Sequence, residues 1–300
     1  MIRLLTALAA LTLAAPAVAQ DKVKVVATFS ILGDLVREVG RDRIELRTLV
    51  GPDADAHTYQ PRPGDARAVS EAKAMVSNGL GFEGWAAKLA SAAPLKGRHI
   101  VASTGANTLQ QAAHGHGHGH SHGHGPDPHC WQDVACTRHY VKNIMTGLAA
   151  VDPAHLNTYV ALSGQYDKAL AELDAWINAE IAKVPVDKRK VISGHEAFRY
   201  FARAYGVQFL APRGYSTANE PTARDVAALV REVREKNIKA LFVENMTNPG
   251  LVEQIARDSG GVVGAKLYSD ALSKPDGPAS TYIYMMRHNV KALVEGMLKN

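Results

Sequence analysis

Two series of short apolar runs and amphipathic stretches follow one another along the 300-residue chain, and each predicts a parallel sheet with helices on its faces. In the first series, strands are predicted at 22–29, 44–50, 74–77 and 98–102, with helices at 31–39, 63–72 and 83–92. The second predicts strands at 190–192, 207–210, 240–243 and 261–265, and helices at 196–205, 222–236, 249–259 and 280–298. Such alternation is the signature of α/β architecture. The longest helical pattern, 152–184, separates the two series, with Asp152 suited to the N-cap and Pro153 to the first helical position. Along it Tyr159, Leu162, Tyr166, Leu170, Leu173, Ile177 and Ile181 form one apolar stripe. About 30 residues at 1.5 Å each would run ~45 Å. A helix of that length acts as a rigid strut between two lobes and limits hinge motion.

The first nineteen residues stand apart. Arg3 precedes an apolar run over 4–15, and Ala17, Val18 and Ala19 have the small-residue pattern of a signal-peptidase site. The run is shorter than the roughly 20 residues that span a bilayer, so 1–19 is expected to be an export signal and the mature protein to work in the periplasm. The expected division is then a first lobe over 20–151, a linking helix over 152–184 and a second lobe over 185–300. Basic side chains number 34 against 29 acidic ones, interspersed rather than clustered. No basic stripe of the kind that binds nucleic acid is present.

Cys130 and Cys136 are the two cysteines. On a regular helix residues six apart lie near 9 Å by its rise, beyond the roughly 7 Å reach of a disulfide. A bond between them therefore requires a turn or the start of a helix. The alternative is that Cys130 is itself a thiolate ligand.

The chemistry concentrates in histidine. His114, His116, His118, His120, His122 and His124 alternate with small residues in a tract over about 112–126, and His129 follows in a DPH motif. Imidazole suits zinc, copper and nickel, whereas calcium and magnesium prefer oxygen donors. The intervening glycines suit a solvated tether with many weak ligand sets rather than a packed segment. Expression tags sit at termini, and this tract is internal.

Four stretches carry a wider resemblance: HTYQPRPGD at 57–65, DPHCWQD at 127–133, SGHEAFRYF at 193–201 and LYSDALS at 267–273. In that order, with the long helix between the second and third, the chain resembles the zinc and manganese solute-binding proteins of ABC transporters, the cluster A-I type, over essentially its whole mature length. The resemblance implies metal ligands His57 and His129 from the first lobe and His195 and Asp270 from the second, in the cleft between lobes. Each follows a predicted strand or sits at a loop-to-helix junction, where parallel α/β sheets place ligand sites. Three imidazoles and a carboxylate would close a tetrahedral shell that suits Zn2+. Manganese carriers of this type typically have Glu in place of the third ligand, so His195 favours zinc.

The resemblance further implies a monomer that captures Zn2+ and delivers it to a membrane permease. The histidine tract would assist acquisition, either by raising local metal concentration or by accepting metal from a periplasmic zinc-donor protein. Manganese or another divalent metal is the alternative cargo, and a zinc hydrolase the alternative class. A catalytic zinc keeps an open position and a general base, and the chain has neither an HExxH motif nor a nucleophile elbow. His99, His139, His155 and His288 lack motif context. Glu196, beside His195, has the chemistry to orient a ligand imidazole, as well as that of any first-turn acid. The turn-forming residues of 213–220 suit a segment that closes over the cleft and equally any exposed connection.

Overall fold

A computed structural model describes residues 21–111 and 125–300. The predicted export signal and the tract histidines 114–124 lie outside the described residues. The first sheet comprises β1 (Val23–Phe29), β2 (Ile44–Val50), β3 (Ala74–Ser77) and β4 (Arg98–Val101), all parallel, in the order β2-β1-β3-β4. The second comprises β5 (Lys190–Ile192), β6 (Gln208–Leu210), β7 (Ala240–Leu241) and β8 (Val262–Val263), parallel in the order β6-β5-β7-β8. Both have the expected topology of an α/β lobe. Central β1 is buried over its last five residues, as a strand covered on both faces must be.

Helices of the first half are α1 (Ser30–Gly40), α2 (Pro63–Glu71), α3 (Ala86–Ala92) and α4 (Val134–Val151). Then come α5 (Leu156–Ala182), α6 (Arg199–Tyr205), α7 (Ala223–Glu235), α8 (Gly250–Ser259) and α9 (Tyr282–Met297). Local chemistry explains their starts. Pro63 occupies the first turn of α2 and Asp65 accepts the Arg62 amide at 2.8 Å. Asp133 caps α4 by accepting from the Ala135 amide, and Thr222 and Asp225 cap α7 reciprocally.

The linking helix differs from expectation at its start. Asp152 both closes α4 and stands at the N-cap of a 3-10 turn, Pro153–His155, with Pro153 in its first position, and α5 then runs 27 residues. The 18-residue α4 was not apparent in the sequence. Its buried face includes Thr137 and Gly147 among the apolar residues, which blurs the helical period. Gly147 is required there, since a Cβ would stand 2.2 Å from Ile100 Cδ1.

The strut is packed along its length rather than free. It lies against α1 and α4 of the first half and α9 of the second. Six of its seven stripe residues are buried, with Leu162 half-buried. One apolar core consequently runs through both halves, from Val25 and Trp131 through Tyr159 and Leu173 to Tyr282 and Leu293. A smaller cluster around Ile192, Val233, Leu241 and Ile255 fills the far side of the second sheet. Buried polar ties stitch the halves together. Trp131 Nε1 and Gln132 Nε2 both donate to Ser269 O at 2.8 Å, Tyr282 OH donates to Trp131 O at 2.7 Å, and Asp34 accepts the Tyr282 amide at 2.8 Å. Burial pushes the Asp34 carboxyl up to about 6 despite that bond.

Cys130 and Cys136 form a disulfide with their Cα atoms 5.8 Å apart. The 3-10 turn Cys130–Gln132 brings them that close, which removes Cys130 from the set of thiolate ligands. The bond ties the residue after His129 to the first turn of α4. Replacing both cysteines by alanine is expected to lower unfolding stability by about 2 kcal/mol, the loop-closure value for so short a ring. Denaturant unfolding of the metal-free protein checks this, and an unchanged midpoint would refute it.

Candidate metal centre

His57 lies in the loop between β2 and α2, where its amide donates to Asp55 Oδ1 at 2.9 Å and Trp85 Nε1 fixes Ala56 O at 2.8 Å. Its ring stands edge-on to Phe82 at 4.6 Å between centroids. His129 immediately precedes the 3-10 turn before α4, with Asp127 Oδ1 bonded to its amide at 3.0 Å and its Nδ1 at 2.9 Å. A carboxylate accepts only, so Nδ1 donates and the Nε2 lone pair is left facing the cluster. His195 follows β5, in a loop whose turn is tied to Glu244, and Asp270 sits in the loop that leads to α9.

These four side chains, distant in sequence, converge. Their ligand atoms all lie within 4.8 Å of one another. His195 Nε2 is 3.0 Å and His57 Nε2 3.2 Å from Asp270 Oδ2; His129 Nε2 is 3.4 Å from His57 Nε2 and 3.7 Å from Asp270 Oδ1. An ion 2.0–2.1 Å from each of four tetrahedral donors would hold those donors about 3.3 Å apart. The observed spacings bracket that value.

The hydrogen-bond pattern fits the same reading. His195 Nε2 and both carboxylate oxygens of Asp270 are buried yet make no hydrogen bond, close as they are. Buried polar atoms are otherwise almost always satisfied, so ligand atoms without hydrogen-bond partners around one point suit an ion. His129, His195 and Asp270 are completely enclosed, and His57 is the least buried member. Burial penalises the Asp270 charge, but His195 and His129 beside it hold its carboxyl well below the usual range. Burial lowers the His57 imidazole, only partly offset by Asp270. At His195 burial acts downward too, but Glu244 and Asp270, on its two ring nitrogens, outweigh it and hold the imidazole well above its ordinary value.

The four other histidines outside the tract have ordinary partners. His99 meets Ser77 Oγ at 2.9 Å, His139 meets Thr104 O, His155 meets Asp152, and His288 meets Lys266 O. Two carboxylates were missed as supports: Asp127, present in a motif but given no role, and Glu244. The sequence had offered Glu196 for such a role only beside the ordinary reading of a first-turn acid; it is Glu244 that stands 2.7 Å from His195 Nδ1. A signal existed for it, a lone acid directly after the apolar run ending at Val243. The 213–220 segment does reach across, with Thr217 Oγ1 donating to Asp55 Oδ2 at 2.6 Å. Asn245 makes a second bridge to Asp53 at 2.9 Å.

The family model described as zinc-uptake complex component A periplasmic (ZnuA) matches residues 25–296. The chain belongs to this family. Among relatives, the manganese-binding lipoprotein MntA of Halalkalibacterium halodurans is 31% identical over 277 residues, 92% of this chain and 89% of that protein. The manganese ABC transporter substrate-binding lipoprotein PsaA of Streptococcus pneumoniae is 29% identical over 93% of this chain and 90% of its own length. Of solved structures, the periplasmic zinc binding protein TroA from Treponema pallidum superposes with a TM-score of 0.84 at 27% identity, covering 92% of this chain and 99% of that one. The Mn-bound periplasmic metal binding protein from Candidatus Liberibacter asiaticus gives 0.81 at 27% identity, covering 92% and 100%. The family is a substrate-binding component of ABC transporters and not an enzyme, which removes the hydrolase reading. The protein is thus a metal-binding solute-binding protein, and its membership implies a membrane permease as partner.

A raised His195 fixes the sign of the pH dependence. The metal-free cluster holds a proton there at neutral pH. The stability it contributes is complete below the ordinary histidine pKa of about 6.5 and lost as pH rises through the raised value. A metal must displace that proton, so apparent affinity is expected to fall about tenfold per pH unit as pH drops through the neutral range. Calorimetry in buffers of different ionisation enthalpy should find about one proton released per metal bound at pH 7. Release of none would contradict the assignment.

Proposed function

We propose that this protein captures Zn2+ in the periplasm on His57, His129, His195 and Asp270 and delivers it to the permease of an ABC importer. The observation that carries the reading is the donor set: three imidazole nitrogens and one carboxylate oxygen within 4.8 Å of one another, three of the four residues buried, with His195 Nε2 and both Asp270 oxygens making no hydrogen bond. Imidazole-rich tetrahedral sites suit zinc, whereas manganese prefers carboxylate, carbonyl and water in an octahedral shell and sits below zinc in the general affinity order. Several relatives are named for manganese and TroA for zinc, and the donor chemistry is what supports zinc for this chain.

The remaining parts of the reading follow. Residues 1–19 act as the export signal. Lobes over 20–151 and 185–300, joined through 152–184, each supply two ligands to a monomeric protein. Histidines 114–124 bind zinc weakly and exchange it fast, close in sequence to His129. A tether of this kind raises the effective metal concentration near the site into the millimolar range if it can reach, and it is also suited to accept metal from a zinc-donor protein.

The test is direct. Protein freed of metal, then offered equal concentrations of Zn2+ and Mn2+ and desalted, should retain one zinc and no manganese by mass spectrometry; manganese retention would overturn the cargo. The same measurement on protein lacking 114–124 should give the same tight stoichiometry with slower loading. Loss of the tight zinc on that deletion would place the site in the tract instead.

A further inference from the structure

Glu244 is enclosed at the end of the apolar run that includes β7, and both of its oxygens are in use. Oε1 accepts the amides of Gly194 at 2.7 Å and His195 at 3.0 Å. Oε2 accepts Ser269 Oγ at 2.5 Å and lies 2.7 Å from His195 Nδ1, off the axis of a hydrogen bond. The gripped residues are members or immediate neighbours of the metal cluster: Gly194 and His195 on one segment, Ser269 next to Asp270 on the other. Gly194 is needed for the grip, since a Cβ there would approach Oε1 to 2.9 Å. Ser269 O in turn receives Trp131 and Gln132, two and three residues beyond His129. One carboxylate therefore fixes His195 and Asp270 relative to each other and connects them to the His129 turn.

The same group enters the charge balance of the cavity. Asp127, behind His129, has the Arg199 guanidinium 3.8 Å from its Oδ2. Among the described residues, the ion pair that Glu244 makes is with His195. With neutral imidazoles around a metal, Asp127 and Arg199 offset one another, and Asp270 and Glu244 remain as two negative charges. A divalent ion cancels them; a monovalent ion leaves a buried charge uncompensated, which is costly.

We propose that Glu244 is a positioning residue for metal capture: it holds the His195 and Asp270 segments in register and supplies the second fixed negative charge that matches the cavity to a divalent ion. The proposal rests on the assignment of the four-residue cluster as the metal site. Glu244→Gln keeps the shape and an acceptor while removing the charge, and Glu244→Asp keeps the charge on a shorter arm. Full-length protein is titrated with Zn2+ against a chelator and with Co2+, whose visible absorption reports coordination geometry; near-ultraviolet dichroism checks folding.

The expected result is a folded Glu244→Gln whose affinity for both ions falls about 10–100-fold, with an altered cobalt spectrum, and Glu244→Asp lying between it and the wild type. Wild-type affinity and spectrum in Glu244→Gln would overturn the proposal. So would lost affinity accompanied by lost near-ultraviolet signal in both variants, which marks a purely structural role. If Glu244→Gln alone fails to fold, the Glu244→Asp affinity decides, a wild-type value overturning the proposal. If instead wild-type and His195→Ala proteins bind cobalt alike, the cluster assignment itself fails, a separate outcome.

Discussion

Asp270 is an enclosed carboxylate whose two oxygens accept no hydrogen bond, in a protein that satisfies most other buried polar atoms. An isolated buried charge is costly, and it persists only where opposite charge is at hand. Here three imidazoles close around it, and two of those rings have carboxylates behind them. Negative charge converges from several loops on the space between the three rings. The surrounding architecture is intelligible as the means of holding that arrangement together: parallel strands deliver His57 and His195 just beyond their ends, and a disulfide-closed turn presents His129.

The halves of the molecule are less independent than two sheets suggest. A continuous core threads between them, α5 packs on helices from both, and buried hydrogen bonds from Trp131, Gln132 and Tyr282 cross the boundary. Opening the cluster by a wide hinge would break these buried contacts. The bonds of Asp53 and Asp55 to Asn245 and Thr217 involve partly exposed groups around the His57 loop, the least buried corner of the site.

Much of this was written in the periodicity. The eight strands among the described residues lie at the expected places; β1 and β3, covered on both faces, show as nearly unbroken apolar runs, whereas β2 alternates and β8 is exposed. The four cluster residues were legible because short motifs carried them in a known order. Helix α4 was not, since its buried Thr137 and Gly147 interrupt the apolar face for reasons that only Ile100 and Tyr282 across the interface explain. Asp152 serves both as the end of α4 and as the N-cap of the 3-10 turn before α5, with its carboxylate on His155 and Tyr159, a double role that local sequence does not reveal. Glu244 escaped notice because its role depends on a tertiary approach to His195, Gly194 and Ser269 from positions 25 to 50 residues away. Local pattern reveals elements and motif ligands; it does not reveal which buried acid stands behind a ligand.

The most direct test of the central claim is X-ray absorption at the zinc edge on protein loaded with one equivalent of Zn2+. Three imidazole nitrogens and one carboxylate oxygen at about 2.0–2.2 Å, with no sulfur and no water, is the predicted shell. The same protein with Asp270→Ala should lose one oxygen from that shell. A spectrum with a sulfur, with a bound water in the wild type, or unchanged by Asp270→Ala would contradict the convergence of these four side chains on a single ion.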